Sequence, residues 1–224
     1  MTSADRRFVL ATANPDKVRE IVGILAASLP DFEFLERPDD VPEVAETGDT
    51  LAENARLKAA ALAAATGLPA VADDTGLIVD ALGGAPGVRS ARYAGEDATY
   101  ADNTAYLLRE LAAREENQEA HEKQGMGPDL RGATFATVVV VRWPDGREVA
   151  ATGEVAGRIT LEPRGAGGFG YDAVFVPEEG DGRTFAEMSA EEKNAMSHRG
   201  RALRSLVEGL RVAKVAENAD GDRS

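Results

Sequence analysis

Asp73 and Asp74 close an apolar run and lead into Thr75-Gly76, and with Glu46 they supply hard carboxylate oxygens of the kind that hold Mg²⁺. That ion commonly takes one or two carboxylates and completes its octahedron with waters and phosphate oxygens, so this donor set suits a polyphosphate ligand. Lys17 falls in the first turn of a helix that follows a strand and a turn. A phosphate placed there meets backbone N–H groups, the positive end of the helix dipole, the Thr12 hydroxyl, the Asn14 amide and the Lys17 ammonium. The Walker A pattern is absent, and ordinary helix capping beside a surface lysine is the competing reading. Asn54 and Lys58 are four apart and share a helix face, where Lys58 either contacts a second phosphate or sits on the surface.

A second group lies near the end of the chain. In Gly167-Gly168-Phe169-Gly170-Tyr171-Asp172 the glycines permit close backbone approach and Phe169 offers a flat face to a base. Asp172 either accepts hydrogen bonds from base N–H groups or orients a partner. Lys193 precedes Ser197-His198-Arg199-Gly200, which opens the last helix. Arg199 or Lys193 donating to a purine 6-keto oxygen would favour hypoxanthine and xanthine over adenine, because a 6-amino group leaves a buried donor unpaired at a cost of about 1 to 3 kcal/mol. Guanine shares the 6-keto group, and its rejection needs a further feature. Ser90 and Arg92 follow the Gly83–Gly87 loop and would line the same cleft, whereas His121, in a polar stretch, receives no role.

Composition narrows the partners. The chain has 224 residues, 43% of them hydrophobic, which suffices for one large domain or two small lobes around a cleft. With 25 Lys and Arg against 39 Asp and Glu, the formal charge of -14 disfavours an extended phosphate-backbone footprint and therefore a nucleic acid partner. A nucleotide remains compatible, since a few cations gathered in a cleft reverse the local potential. Absence of cysteine removes disulfides, thiolate catalysis and thiol-ligated zinc. The apolar patch Ile21–Ala27 is too short to span a bilayer and reads as a buried amphipathic helix, so no membrane partner and a cytoplasmic location are expected.

These residues need a frame. A strand over Arg7–Ala11, a helix from Pro15 to about Ser28 and a strand over Phe32–Leu35 come first. Thr50 and Glu53 have capping-box spacing for an Ala-rich helix that stops at Gly67. Leu68–Asp74 reads as a strand arriving at a turn, Leu77–Leu82 as extended, and Asp102–Arg114 as a helix. Glu115–Leu130 reads as a solvent loop or loose helix extension without a role. Thr134–Trp143 and Arg147–Arg158, joined by Pro144-Asp145-Gly146, form a hairpin whose run Val138–Val141 implies cover on both faces. A strand at Ala173–Val176 and a helical end from Ser189 follow, with a polar, flexible tail over Ala213–Ser224. The expected fold is α/β: residues 1–212 as a single domain, its mixed twisted sheet forming two lobes around a central nucleotide-binding cleft.

Taken together the motifs resemble the inosine/xanthosine triphosphate pyrophosphatase, or Ham1-like, family. The matching pieces are Leu10–Asn14 with Lys17, Glu46-Thr47-Gly48, Glu53-Asn54-Ala55 with Lys58, Ala72–Leu77, Leu82–Gly87, Ser90–Tyr93, Gly167–Asp172, and Glu192-Lys193 with Ser197–Gly200. They occur in family order over about residues 7 to 211. The resemblance implies a homodimeric, Mg²⁺-dependent enzyme that converts ITP, dITP or XTP to the monophosphate and pyrophosphate. It implies Asp74 as the catalytic residue and a metal ligand, Glu46 as a second ligand, and Lys17 as a triphosphate contact. Thr12, Asn14, Asn54, Lys58 and Thr75 complete the phosphate side. Phe169 resembles the base-stacking residue, flanked by Gly170 and Tyr171, and Asp172, Lys193, His198 and Arg199 resemble the base-recognition group. Ala13 stands where the phosphate turn often has glycine, Thr75 where serine is common, and Ala173 where proline is frequent. Two rival readings are a Maf-like pyrophosphatase acting on pyrimidine triphosphates and a non-catalytic nucleotide-binding regulator.

Overall fold

The computed structural model describes residues 6–121 and 130–221, with side chains described to residue 116 in the first stretch and residue 212 in the second. Seven strands and five α-helices occur among the described residues: β1 (Arg7–Leu10), α1 (Pro15–Ser28), β2 (Glu33–Leu35), α2 (Leu51–Thr66), β3 (Ala70–Val79), β4 (Pro86–Gly87), α3 (Tyr100–His121), β5 (Gly132–Arg142), β6 (Glu148–Ile159), β7 (Phe175–Pro177), α4 (Ala190–Met196) and α5 (His198–Gly221). The strand order is β2-β1-β3-β5-β6-β7, with β4 paired to β3. Parallel β1–β2 and β1–β3 pairs with antiparallel β3–β4 and β6–β7 pairs make the sheet mixed, as expected. The chain divides into two compact units, one of Met1–Asp74, Thr137–Gly153 and Ser197–Ser224, the other of Thr75–Ala136 and Glu154–Met196.

In the first unit one sheet face is covered by α1 and α5. Phe8, Leu10, Val71, Val139 and Val141 bury there against Ile21, Leu25, Leu203 and Leu206. A separate cluster sets Val140 and Ala72 with Ala55 and Ala59 of α2. Alternate valines of β5 thus bury into different clusters, which is the two-sided cover that the valine run implied. The small alanines of α2 let that helix lie close on the strands. Its start is fixed by the full capping box of Thr50 and Glu53, and it ends at Gly67 in the left-handed conformation.

The second unit buries Leu77, Val79, Leu107, Leu111, Phe135, Phe175 and Phe185. Here α3 begins earlier than the periodicity suggested, because Thr99 and Asp102 cap it reciprocally: Asp102 N donates to Thr99 Oγ1 at 3.2 Å and Thr99 N donates to Asp102 Oδ2 at 2.9 Å. It also runs on to His121, so of the two readings of the following stretch the helix extension holds that far, while residues 122–129 lie outside those described.

Three further expectations change. No turn follows Asp74, since β3 continues through Thr75-Gly76 to Val79, and Asp80–Leu82 is 3₁₀ rather than extended. The helical end from Ser189 is two helices parted at Ser197, so Ser197–Gly200 opens the last helix as expected, with the Ser197 hydroxyl accepting from Gly200 N at 3.1 Å as a fresh cap. Finally, α5 keeps its backbone helical past residue 212 to Gly221, in keeping with the helix formers Ala, Glu and Lys in that polar stretch.

Candidate active site

Strand geometry decides what the adjacent carboxylates can do. Successive side chains of β3 point to opposite faces, so Asp73 and Asp74 turn to different hydrogen-bond partners. Asp73 goes to the α1 and α5 face: its Oδ2 lies 3.3 Å from Lys17 Nζ and accepts from Arg199 Nη2 at 3.2 Å. Asp74 goes to the α2 face, where Asn54 Nδ2 donates to Oδ2 and Lys58 Nζ to Oδ1, both at 3.2 Å. Asp73 thus sits between two basic side chains. Burial opposes its charge, yet Lys17, Arg199 and Lys58 together hold its carboxyl below the usual carboxylate range.

On the Asp74 face, Lys58 Nζ also donates to Glu46 Oε1 at 2.8 Å, so one ammonium bridges the two carboxylates expected to bind metal. Lys58 belongs to the site and not to the exposed surface. Burial pulls its pKa down, and Asp74, Asp73 and Glu46 outweigh that, so the ammonium is held charged. Burial and the like charge of Glu46 push the Asp74 carboxyl up, against the pull of Lys58 and Lys17. Asn54 is fully buried and closes the arrangement: its Oδ1 accepts from Gly48 N at 2.8 Å, which anchors the Glu46-Thr47-Gly48 loop to the helix that carries Lys58.

The phosphate turn is partly spent on itself. Asn14 Oδ1 accepts from Asp16 N at 2.9 Å and Lys17 N at 3.3 Å, and Thr12 Oγ1 accepts from Asn14 N at 3.1 Å. These N–H groups, expected to meet phosphate, are met by the cap. Ala13 is no obstacle, because no non-glycine residue among those described has a positive φ. The Lys17 amine sits at the turn, with its pKa lowered chiefly by burial, sustained by Asp73 and lowered further by the neighbouring Arg199 and Lys58.

His198 and Arg199, expected in the base-recognition group, belong to the first unit, whereas Phe169, Asp172 and Lys193 belong to the second. Both are 2% exposed. The Arg199 guanidinium ion-pairs with Asp73 and with Glu20 Oε2, the latter at 2.5 Å. Its donors serve carboxylates, and burial of the guanidinium is outweighed by Asp73 and Glu20, which raise its pKa. Glu20 was not anticipated; its position three residues after Lys17, on the same face of α1, was the available signal.

In the second unit a buried ion pair organises the Phe169 turn. Lys193 Nζ donates to Asp172 Oδ2 at 2.5 Å, and that oxygen also accepts from Phe169 N at 2.8 Å. Asp172 is 3% and Lys193 4% exposed, so the pair is buried where it holds the Phe169 turn. Gly168 has φ +64° and a Cβ there would collide with the Asp172 carboxylate, so only glycine fits. The ammonium lies 4.8 Å from the Phe169 ring centroid. Tyr171 is a core residue: it is 4% exposed and its hydroxyl donates to Ser90 O at 3.0 Å. Gly170 O accepts from Thr104 Oγ1 at 3.3 Å. Ser90 braces the chain by donating to Gly87 O at 2.6 Å and accepting from Leu77 N at 2.9 Å. Thr75 sits half-buried in β3 beside Asp74.

The class these features define is an α/β protein with a cation-bridged carboxylate pair at a strand and an aromatic platform held by a buried ion pair. Residues 8–209 match the model of the Ham1 family, and the chain belongs to that family. It is 50% identical over 207 residues to a dITP/XTP pyrophosphatase of Streptomyces avermitilis, covering 92% of this chain and 97% of that one. A dITP/XTP pyrophosphatase of Symbiobacterium thermophilum is 47% identical over 208 residues, covering 92% and 96%. The HAM1 protein of Coxiella burnetii superposes with a TM-score of 0.77 at 39% identity, over 91% of this chain and 98% of that one.

Proposed function

We propose that the protein is a nucleoside triphosphate pyrophosphatase that hydrolyses the non-canonical purine nucleotides ITP, dITP and XTP at the α-phosphorus, releasing monophosphate and pyrophosphate. The observation that carries this is the Glu46–Lys58–Asp74 bridge braced by Asn54, a carboxylate pair already shaped around one positive charge. Family membership and the names of the relatives support the same chemistry and substrates.

In this reading Asp74 orients the attacking water. The water oxygen bonds to the α-phosphorus as the bond to the bridging oxygen of pyrophosphate breaks, and the proton of the water is lost to Asp74 or to solvent. Lys17 and Lys58 stabilise the charge that builds on the leaving pyrophosphate. Phe169 stacks on the base, with its turn held by Asp172 and Lys193. Mg²⁺ is the proposed cofactor, and Glu46 and Asp74 would hold it, because two carboxylates completed by phosphate oxygens form a donor set this ion accepts. When bound it supplies positive charge beside the phosphate oxygens. We further propose a cytoplasmic homodimer, the assembly that the family resemblance implies. Among the described residues no helix is long and apolar enough to cross a membrane.

A pyrophosphate-release panel of ITP, dITP, XTP, GTP, dTTP and UTP, with and without Mg²⁺, tests the proposal. Turnover confined to ITP, dITP and XTP and dependent on Mg²⁺ is expected, and preference for GTP, dTTP or UTP would refute the assigned substrate. Asp74→Asn should lower kcat by on the order of 10²- to 10⁴-fold while leaving the circular dichroism spectrum unchanged. Near wild-type turnover would remove Asp74 from its role.

A further inference from the structure

We infer that Tyr100 positions the base-stacking ring of Phe169, a role that rests on the proposed purine site and that none of the motifs signalled. The Tyr100 and Phe169 ring centroids are 5.8 Å apart at 39°, and Tyr100 is 42% exposed, unusually open for a large apolar ring. A base inserted between two rings needs them about 7 Å apart, twice the optimal carbon contact distance, so these rings touch one another and do not sandwich a ligand. Tyr100 therefore steadies Phe169 instead of adding a second wall.

Its own placement is firm. Tyr100 opens α3 directly after Thr99, whose hydroxyl donates to Asp102 Oδ2 at 2.6 Å. Three residues on, buried Asn103 accepts from Ala94 N at 2.7 Å and donates to Ala91 O at 2.9 Å. Thr104 of the same helix donates to Gly170 O at 3.3 Å, which ties α3 to the turn bearing Phe169. The Phe169 ring is thus held by two neighbours, the Lys193 ammonium at 4.8 Å and the Tyr100 ring. An aromatic ring fixed in this way loses less freedom when a base stacks on it, so the effect belongs in affinity and not in the chemical step.

The test compares wild type with Tyr100→Ala and Tyr100→Phe. Tyr100→Ala should raise KM for XTP about three- to tenfold, the range an aromatic pair supports, with kcat held within about twofold. Tyr100→Phe should restore KM, and hydrolysis or inhibition by inorganic tripolyphosphate, which has no base, should not change in either variant. Binding of IMP, read by calorimetry, should weaken by the same factor in Tyr100→Ala. Unchanged KM and IMP affinity in Tyr100→Ala, failure of Tyr100→Phe to rescue, a parallel loss with tripolyphosphate, or no IMP binding by wild type would each overturn the inference. Wild type that binds IMP but releases no pyrophosphate from any purine triphosphate would sink the proposed function alone.

Discussion

Lys58 is the residue on which the carboxylate side turns. Its ammonium lies between Glu46 and Asp74, and it pulls down an Asp74 carboxyl that burial and Glu46 push up. Lys58→Gln removes that pull, so the folded pKa of Asp74 rises further and ionised Asp74 is reached only at higher pH. The acid limb of the kcat profile should therefore move to higher pH, with kcat lowered on the order of 10²-fold through the lost charge on the leaving group. A pH series of initial rates reads both effects, and an unmoved acid limb would show that Asp74 ionisation does not gate turnover. Lys58 could be placed on one helix face with Asn54 from their spacing alone. That it faces inward required Glu46 and Asp74, which come from a loop and a strand.

At the scale of elements, local rules were most reliable where the signal is short-range. The Thr50–Glu53 capping box, the Gly67 stop and the β5–β6 hairpin all follow from residues a few positions apart. The turn expected after Asp74 failed because Asp-Asp-Thr-Gly is turn-like in composition, yet these residues are paired within a strand and their charges met by side chains from α1, α2 and α5. Tertiary pairing overrode propensity. One close approach was invisible to local reasoning: in the first unit, a Cβ on Gly153 of β6 would strike His198 O and Ala202 N of α5. Gly153→Ala should destabilise the protein by about 1 to 3 kcal/mol through overpacking, seen as a lowered Tm. A wild-type Tm would mean that α5 yields without resistance.

For the molecule as a whole, acid sensitivity follows from the buried cluster of Asp73 with Lys17 and Arg199. The folded pKa of Asp73 lies below its ordinary 3.8, so the unfolded chain binds the proton more readily. Its stabilisation is then fully present above about pH 4 and is lost as the pH falls from there towards the folded pKa. Asp73→Asn should lower stability at neutral pH by about 3 to 5 kcal/mol, since it takes from partly buried Lys17 its ion-pair partner and leaves buried Arg199 with Glu20 alone, and should flatten the acid limb of stability. Urea unfolding at pH 7 and pH 3 measures both, and an equal pH slope in variant and wild type would show that Asp73 is not the group responsible. Sequence alone determined the mixed α/β class, most element types, the two groups of chemically active residues and the family they resemble, because periodicity, caps and motif spacing are written along the chain. Only the tertiary structure decided how those groups are divided: strand alternation sends Asp73 and Asp74 to opposite faces, and burial turns Arg199 to Asp73 and Glu20. Such partners lie up to 179 positions apart in the chain, and no local pattern encodes which of several charges will meet once water is excluded.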